Sequence, residues 1–268
     1  MRPMSSSSTA TTTTKKGGGG GGVKFDKETG AINREVKVFG EEKKRGYGRT
    51  VKHDDHPLLK PQLTIITGCT GSGKTVLALN LLEEIVINTA SDRLGKILFF
   101  TGSPSDKAIA SLDEDVVTVY SSENEQGLVD DLRRLQSDMR MIDDKDKPLN
   151  VLILDDTGAS KLLAPTQVKG SVIGEIFVSH RHLGLHVMVL AQRVKGMLSP
   201  FLLANMSLLF LFAGKNKADQ AELLKNIPLA SEQIEKNLAI ISSDPHKFLY
   251  INIPKRSVML GFNDVVLS

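Results

Sequence analysis

Residues 63–82 read LTIITGCTGSGKTVLALNLL, and no other stretch restricts the fold so tightly. An apolar run ends in a glycine-rich turn, and an apolar-periodic segment starts directly after Lys74 and Thr75. Residues 68–75, GCTGSGKT, satisfy G-x-x-x-x-G-K-[ST] between a strand and a helix, the context in which such a loop cradles phosphates. Each residue type has a physical reason. Gly71 and Gly73 let backbone N–H groups turn inward with no Cβ in the way. The helix N-terminus that follows brings positive dipole to the phosphates. Lys74 is expected to bridge the β- and γ-oxygens, and Thr75 to offer its hydroxyl to Mg²⁺. Gly68, Cys69, Thr70, Gly71, Ser72, Gly73, Lys74 and Thr75 are thus the expected nucleotide contacts. Cys69 is the only cysteine, which excludes an internal disulfide framework, and in the variable part of the loop it needs no redox role.

The loop heads a regular pattern. Strand-like apolar runs recur at 63–67, 96–102, 116–121, 150–156, 185–192 and 207–214. Helical patterns lie between several of them, at 74–88, 105–112, 124–141, 168–183 and 217–226. Continuous apolar strands alternating with helices predict an α/β fold, a mostly parallel central sheet with helices on both faces. FLYINI, at 248–253, is expected to add an edge strand. Residues 58–268 are therefore read as one P-loop NTPase domain. Ahead of it, SSSSTATTTTKKGGGGGG at 5–22 is low-complexity and is expected to be disordered, so residues 1–22 are read as a tail. Residues 23–57 are a basic extension in which VKVF (36–39) is a candidate short strand. HDDH at 53–56 has metal-ligand residue types, but the adjacent spacing suits a solvated linker rather than a zinc site.

The 268 residues carry a net charge of +3, unevenly placed. Residues 1–60 hold 13 Lys/Arg against 7 Asp/Glu, and the remainder 21 against 24. A basic arm on a slightly acidic body reads either as a tether to a phosphate backbone or acidic partner, or as a solvated tail. No apolar run is long enough to span a bilayer and no secretory signal is visible, so a membrane span and secretion are not expected.

Two further elements complete a candidate site. LNVLILDD is an apolar strand ending in Asp155 and Asp156. The first carboxylate suits Mg²⁺ coordination opposite Thr75, and the second sits where a base orients water on a γ-phosphate. Many hydrolysing ATPases carry Glu there, so Asp156 has a shorter reach. In SHRHLGLHVMVLAQR a strand ends in Gln192, with Arg181 upstream and Arg193 downstream. A glutamine at that edge can bond the γ-phosphate or its attacking water, and an arginine can offset the charge on a transferring phosphoryl group.

These residues resemble the FtsK/HerA superfamily of DNA-translocating ATPases, with a RecA-like fold, and most closely its viral branch, the poxvirus-type genome-packaging ATPases. The resemblance spans about 58–215: GCTGSGKT, ILFFTGSP, LILDD, and RHLGLHVMVLAQR followed by LLANMSLLFLF. It departs at Ala204, where the family often has a basic residue before its Asn, and neither a membrane segment nor the DNA-reading module of the bacterial chromosome pumps is expected. The resemblance implies an ATP- and Mg²⁺-dependent motor, a hexameric or pentameric ring threading double-stranded DNA into a capsid. Its partners would be capsid or portal-vertex proteins, and its place the virion and the host-cell assembly site. Lys74 and Thr75 would hold phosphate and metal, Asp155 the metal, Asp156 the water and Gln192 the γ-phosphate. Arg181, or else Arg193, would reach a neighbour's nucleotide.

Other readings compete. DDTG at 155–158 contains D-x-x-G, and NKAD at 216–219 fits the guanine-reading N-K-x-D, so a GTPase switch is an alternative. A nucleotide kinase would want an arginine-rich lid, and residues 139–148 offer only Arg140. A non-hydrolysing ATP-binding assembly subunit remains if Asp156 does not activate water.

Overall fold

The computed structural model describes residues 24–25, 32–33, 57–104, 107–155, 170–194, 197–213, 217–229, 231–262 and 264–267. The low-complexity tail, VKVF, HDDH, Asp156, Gly158 and Asn216 lie outside them. Residues 1–37 form one unit, in which Lys24–Phe25 (β1) pairs antiparallel with Ile32–Asn33 (β2). Residues 38–268 form the other.

The second unit is built on a nine-stranded sheet. Its strands are Leu63–Thr67 (β3), Leu94–Thr101 (β4), Val117–Tyr120 (β5), Leu149–Asp155 (β6), Leu185–Ala191 (β7), Leu208–Phe212 (β8), Phe248–Asn252 (β9), Ser257–Leu260 (β10) and Asp264–Leu267 (β11). They lie in the order β11-β10-β9-β8-β3-β7-β6-β4-β5. The six strands from β5 to β8 are mutually parallel, and β9, β10 and β11 extend the sheet antiparallel. FLYINI is thus not an edge: β9 has β8 on one side and β10 on the other. Its near-continuous apolar run is what a strand needs when both flanks are occupied and both faces are covered.

The helices are Lys74–Asn88 (α1), Glu125–Arg140 (α2), Val172–Ser179 (α3), Pro200–Asn205 (α4), Lys217–Leu224 (α5) and Ser231–Ile241 (α6). The strands' period of two sorts the core into two layers. Ile66, Ile153, Met188 and Phe210 meet Leu77, Leu81 and Ile85 of α1 on one face. Ile65, Leu154, Val189 and Leu209 meet Leu128 and Leu132 of α2, Ile176 of α3, Leu202 of α4, Leu223 of α5 and Leu238 of α6 on the other. Full burial of each such side chain is worth about 1.5–3 kcal/mol, so strand order and facing are firmly fixed.

The segment expected to be helical at 105–112 forms turns over its described residues, 107–112. Ile109 alone in it is buried, and a turn bond of 3.0 Å from the Leu112 N–H to the Ile109 carbonyl serves instead. One buried anchor does not offset the cost of nucleating a helix.

Candidate nucleotide site

The phosphate loop joins β3 to α1 at the carboxyl edge of the parallel strands. Gly71 and Gly73 stand at φ of 75° and 95°, a region closed to most side chains. Gly68 is required by space: a Cβ there would lie 2.5 Å from Ser72 Oγ and 2.7 Å from Phe212 Cβ. The buried Ser72 hydroxyl has no hydrogen-bond partner, an orphaned polar group of the kind a phosphate loop holds in reserve. Lys74, also buried, donates from Nζ to the Cys69 carbonyl at 2.9 Å, so its ammonium lies across the loop. The Cys69 thiol itself is exposed.

Four hydrogen bonds tie this loop and the residues flanking it to the neighbouring strands. The Ala191 carbonyl at the end of β7 accepts from Thr67 Oγ1 at 2.9 Å and from the Gly68 N–H at 3.3 Å. One residue on, Gln192 Oε1 accepts from Thr70 Oγ1 at 3.1 Å. Asp155, the buried last residue of β6, accepts from Thr75 Oγ1 at 2.8 Å. Hydroxyl and carboxylate oxygens brought together in this way are the hard donors that Mg²⁺ takes, so the residues present fit that ion. Thr70, Thr75, Asp155 and Gln192, far apart in sequence, are thus brought together at one edge of the sheet. Asp156 follows Asp155 directly and lies outside the described residues.

The two arginines part company. Arg193, exposed, follows Gln192 at the phosphate edge. Arg181 lies between α3 and β7 and donates to Ser207 Oγ at 3.1 Å, at the start of β8. That is the opposite edge of the sheet from its own phosphate loop. Among the described residues no group of three or more His, Cys, Asp or Glu is placed to hold a metal ion.

This geometry has a family. The profile of the poxvirus A32 protein matches residues 51–265. The chain belongs to the poxvirus A32 protein family. No curated protein matches the sequence. Among solved structures, the genome packaging NTPase B204 from Sulfolobus turreted icosahedral virus 2, in complex with ATP-gammaS, is similar at TM-score 0.54 and 18% identity. The alignment covers 75% of this chain and 96% of that one. EssC (ATPases 2 and 3) from Geobacillus thermodenitrificans aligns at TM-score 0.56 and 15% identity, over 78% of this chain and 39% of that one. The cytoplasmic domain of the Thermomonospora curvata type VII secretion ATPase EccC aligns at 0.51 and 17%, over 76% and 25%. At these identities the likeness is one of fold, the P-loop ATPase fold expected from the sequence.

Two contacts in this A32-family chain, made by Asp219 and His246, are not announced by the sequence. Asp219, the last residue of NKAD, is buried, and its Oδ1 accepts from the Val194 N–H at 3.3 Å. It rides on α5, against the sheet face opposite α1, where this bond braces the loop after Gln192. His246, between α6 and β9, has Nδ1 3.3 Å from the Ser72 carbonyl oxygen. No local pattern announces either contact, because both are made by chain returning from elsewhere in the sheet.

Proposed function

We propose that this chain hydrolyses ATP to drive double-stranded DNA into a virus particle. The observation that carries the reading is the 2.8 Å contact of Thr75 with Asp155 beside Lys74, on a loop tied to Gln192 through Thr70. Family membership supplies the biological setting, and the packaging ATPases that share the fold are consistent with it. Backbone N–H groups of the loop and Lys74 bind the β- and γ-phosphates. Thr75 and Asp155 hold Mg²⁺, which when bound neutralises charge developing on the phosphate oxygens. Asp156 accepts a proton from the attacking water, and Gln192 orients that water or bonds the γ-phosphate. Because Gln192 and the loop share contacts with the end of β7, a shift of one is felt by the other.

The working form is a closed homo-oligomeric ring, hexameric or pentameric, acting with capsid or portal-vertex proteins at the assembly site and in the virion. No helix among the described residues is long and apolar enough to cross a membrane. No observation favours a GTPase switch: Asp219 serves the loop after β7. DNA-stimulated ATP turnover, measured alongside the mass of the oligomer, tests the proposal. Stimulated turnover by a ring is the expected result. Nucleotide binding with no turnover, with or without DNA, would leave a non-hydrolysing assembly subunit in its place.

A further inference from the structure

Strand order gives the phosphate loop a direction. β3 runs between β7 and β8, with Gln192 at the end of β7 and Asp155 beyond it on β6. The metal and γ-phosphate end of a bound triphosphate therefore faces the β7 side. The nucleoside end leaves the loop towards β8 and β9, where the chain sets groups that the phosphate chemistry does not use.

His246 is the first. Its Nδ1 lies 3.3 Å from the Ser72 carbonyl and 3.8 Å from where a Cβ on Gly73 would sit. A carbonyl only accepts, so Nδ1 donates, and in the neutral ring Nε2 keeps a lone pair for another donor. The residue is exposed, and its turn is braced by the His246 N–H donating to Asp244 Oδ1 at 2.9 Å. The second group is an aromatic row. It starts at Phe212, against which a Cβ on Gly68 would clash, and continues to Phe248 with ring centroids 5.2 Å apart. It ends at Phe262, 5.4 Å from Phe248 and 5.9 Å from Phe210. Phe210 and Phe212 belong to the face that α1 covers, so the row lies on the α1 side of the sheet. Phe262 is nonetheless 41% exposed. An aromatic ring held by Phe210, Phe248 and Tyr250 and left open on the side of a nucleotide loop can serve as a stacking platform.

We infer that His246 and Phe262 form the nucleoside subsite: the base stacks on Phe262, and His246 Nε2 accepts from a ribose hydroxyl. The inference rests on the loop being the ATP seat proposed above. Titration calorimetry on the full chain, with ATP and with inorganic triphosphate, separates the two claims. Phe262→Ala should weaken ATP roughly 5- to 160-fold, the span that follows from losing one stacking ring, and leave inorganic triphosphate unchanged. Phe262→Tyr should restore ATP binding. The parent protein should bind 2′,3′-dideoxy-ATP more weakly than ATP, and His246→Ala should no longer tell them apart. If the parent binds ATP no tighter than inorganic triphosphate, or if Phe262→Ala weakens both alike, the subsite is overturned while the phosphate seat stands. Should the parent bind neither, the ATPase reading fails and the subsite with it.

Discussion

At the scale of single residues, the site rests on a few positions where no other side chain serves. Gly68 is one, because the space of its missing Cβ is already taken by Ser72 Oγ and Phe212 Cβ. Gly68→Ala should cost about 1–3 kcal/mol of stability by overpacking and weaken nucleotide binding as the loop shifts. Thermal unfolding and ATP titration check this, and an unchanged variant would mean the loop relaxes freely. In the proposed mechanism Lys74 and Asp156 have separable roles. Lys74→Ala should abolish binding or turnover, since the loop loses its fixed cation. Asp156→Asn should bind ATP normally yet turn over roughly 10²- to 10⁴-fold more slowly, because an amide accepts no proton from water. An Asp156→Asn protein as fast as the parent would move the base elsewhere.

At the scale of elements, β7 lies between β3 and β6 and leads into Gln192, and its first half holds a buried histidine. His186 Nε2 lies 3.1 Å from Thr64 Oγ1, and Nδ1 lies 3.2 Å from the Lys60 carbonyl. Nδ1 therefore donates to the carbonyl and Nε2 accepts from the hydroxyl, which is the neutral ring. Burial, with a smaller contribution from nearby His180, pushes its pKa down from 6.5 to about 4, against the opposing pull of the Lys60 carbonyl. The unfolded chain takes up a proton below its ordinary pKa and the folded one does not. The neutral ring's contribution is thus complete above pH 6.5 and is lost as pH falls towards 4, about 3 kcal/mol at most. Urea unfolding of the parent should lose that much more than His186→Gln over the interval, and parallel curves would sink the assignment. The sequence foretold this element and its parallel companions well, since strands buried on both faces read as unbroken apolar runs. α1 matches its expected span, 74–88, because the loop fixes its start. α6 was overlooked although Ser231 is followed by Ile234, Leu238 and Ile241 at helical spacing. β10 and β11, four residues each, are too short to stand out, and their pairing rather than their composition makes them strands. The contacts of His246 and Asp219 were illegible for the same reason: sheet order, not local pattern, creates them.

At the scale of the whole molecule, the two arginines stand at opposite edges of one sheet, and a ring gives that separation a meaning. A ring closes by heterologous contacts, one face of a subunit against a different face of the next. If the phosphate edge of one subunit meets the opposite edge of its neighbour, Arg181 reaches the neighbour's nucleotide, while Arg193 stays with its own. Arg181→Ala should therefore bind ATP yet hydrolyse it roughly 10³-fold more slowly, the scale of a missing arginine finger. Mixed rings separate the two arginines. In a ring of Arg181→Ala and Lys74→Ala subunits, some interfaces pair an intact loop with an intact Arg181, so part of the activity returns. In a ring of Arg193→Ala and Lys74→Ala subunits, no site holds both groups when Arg193 acts within its own chain, so nothing returns. Turnover across a titration of the two subunits reads the difference, with native mass confirming that mixed rings form. Rescue of Arg193→Ala but not of Arg181→Ala would exchange their roles. A parent protein that stays monomeric with ATP and DNA, and turns over at full rate, would remove the ring altogether.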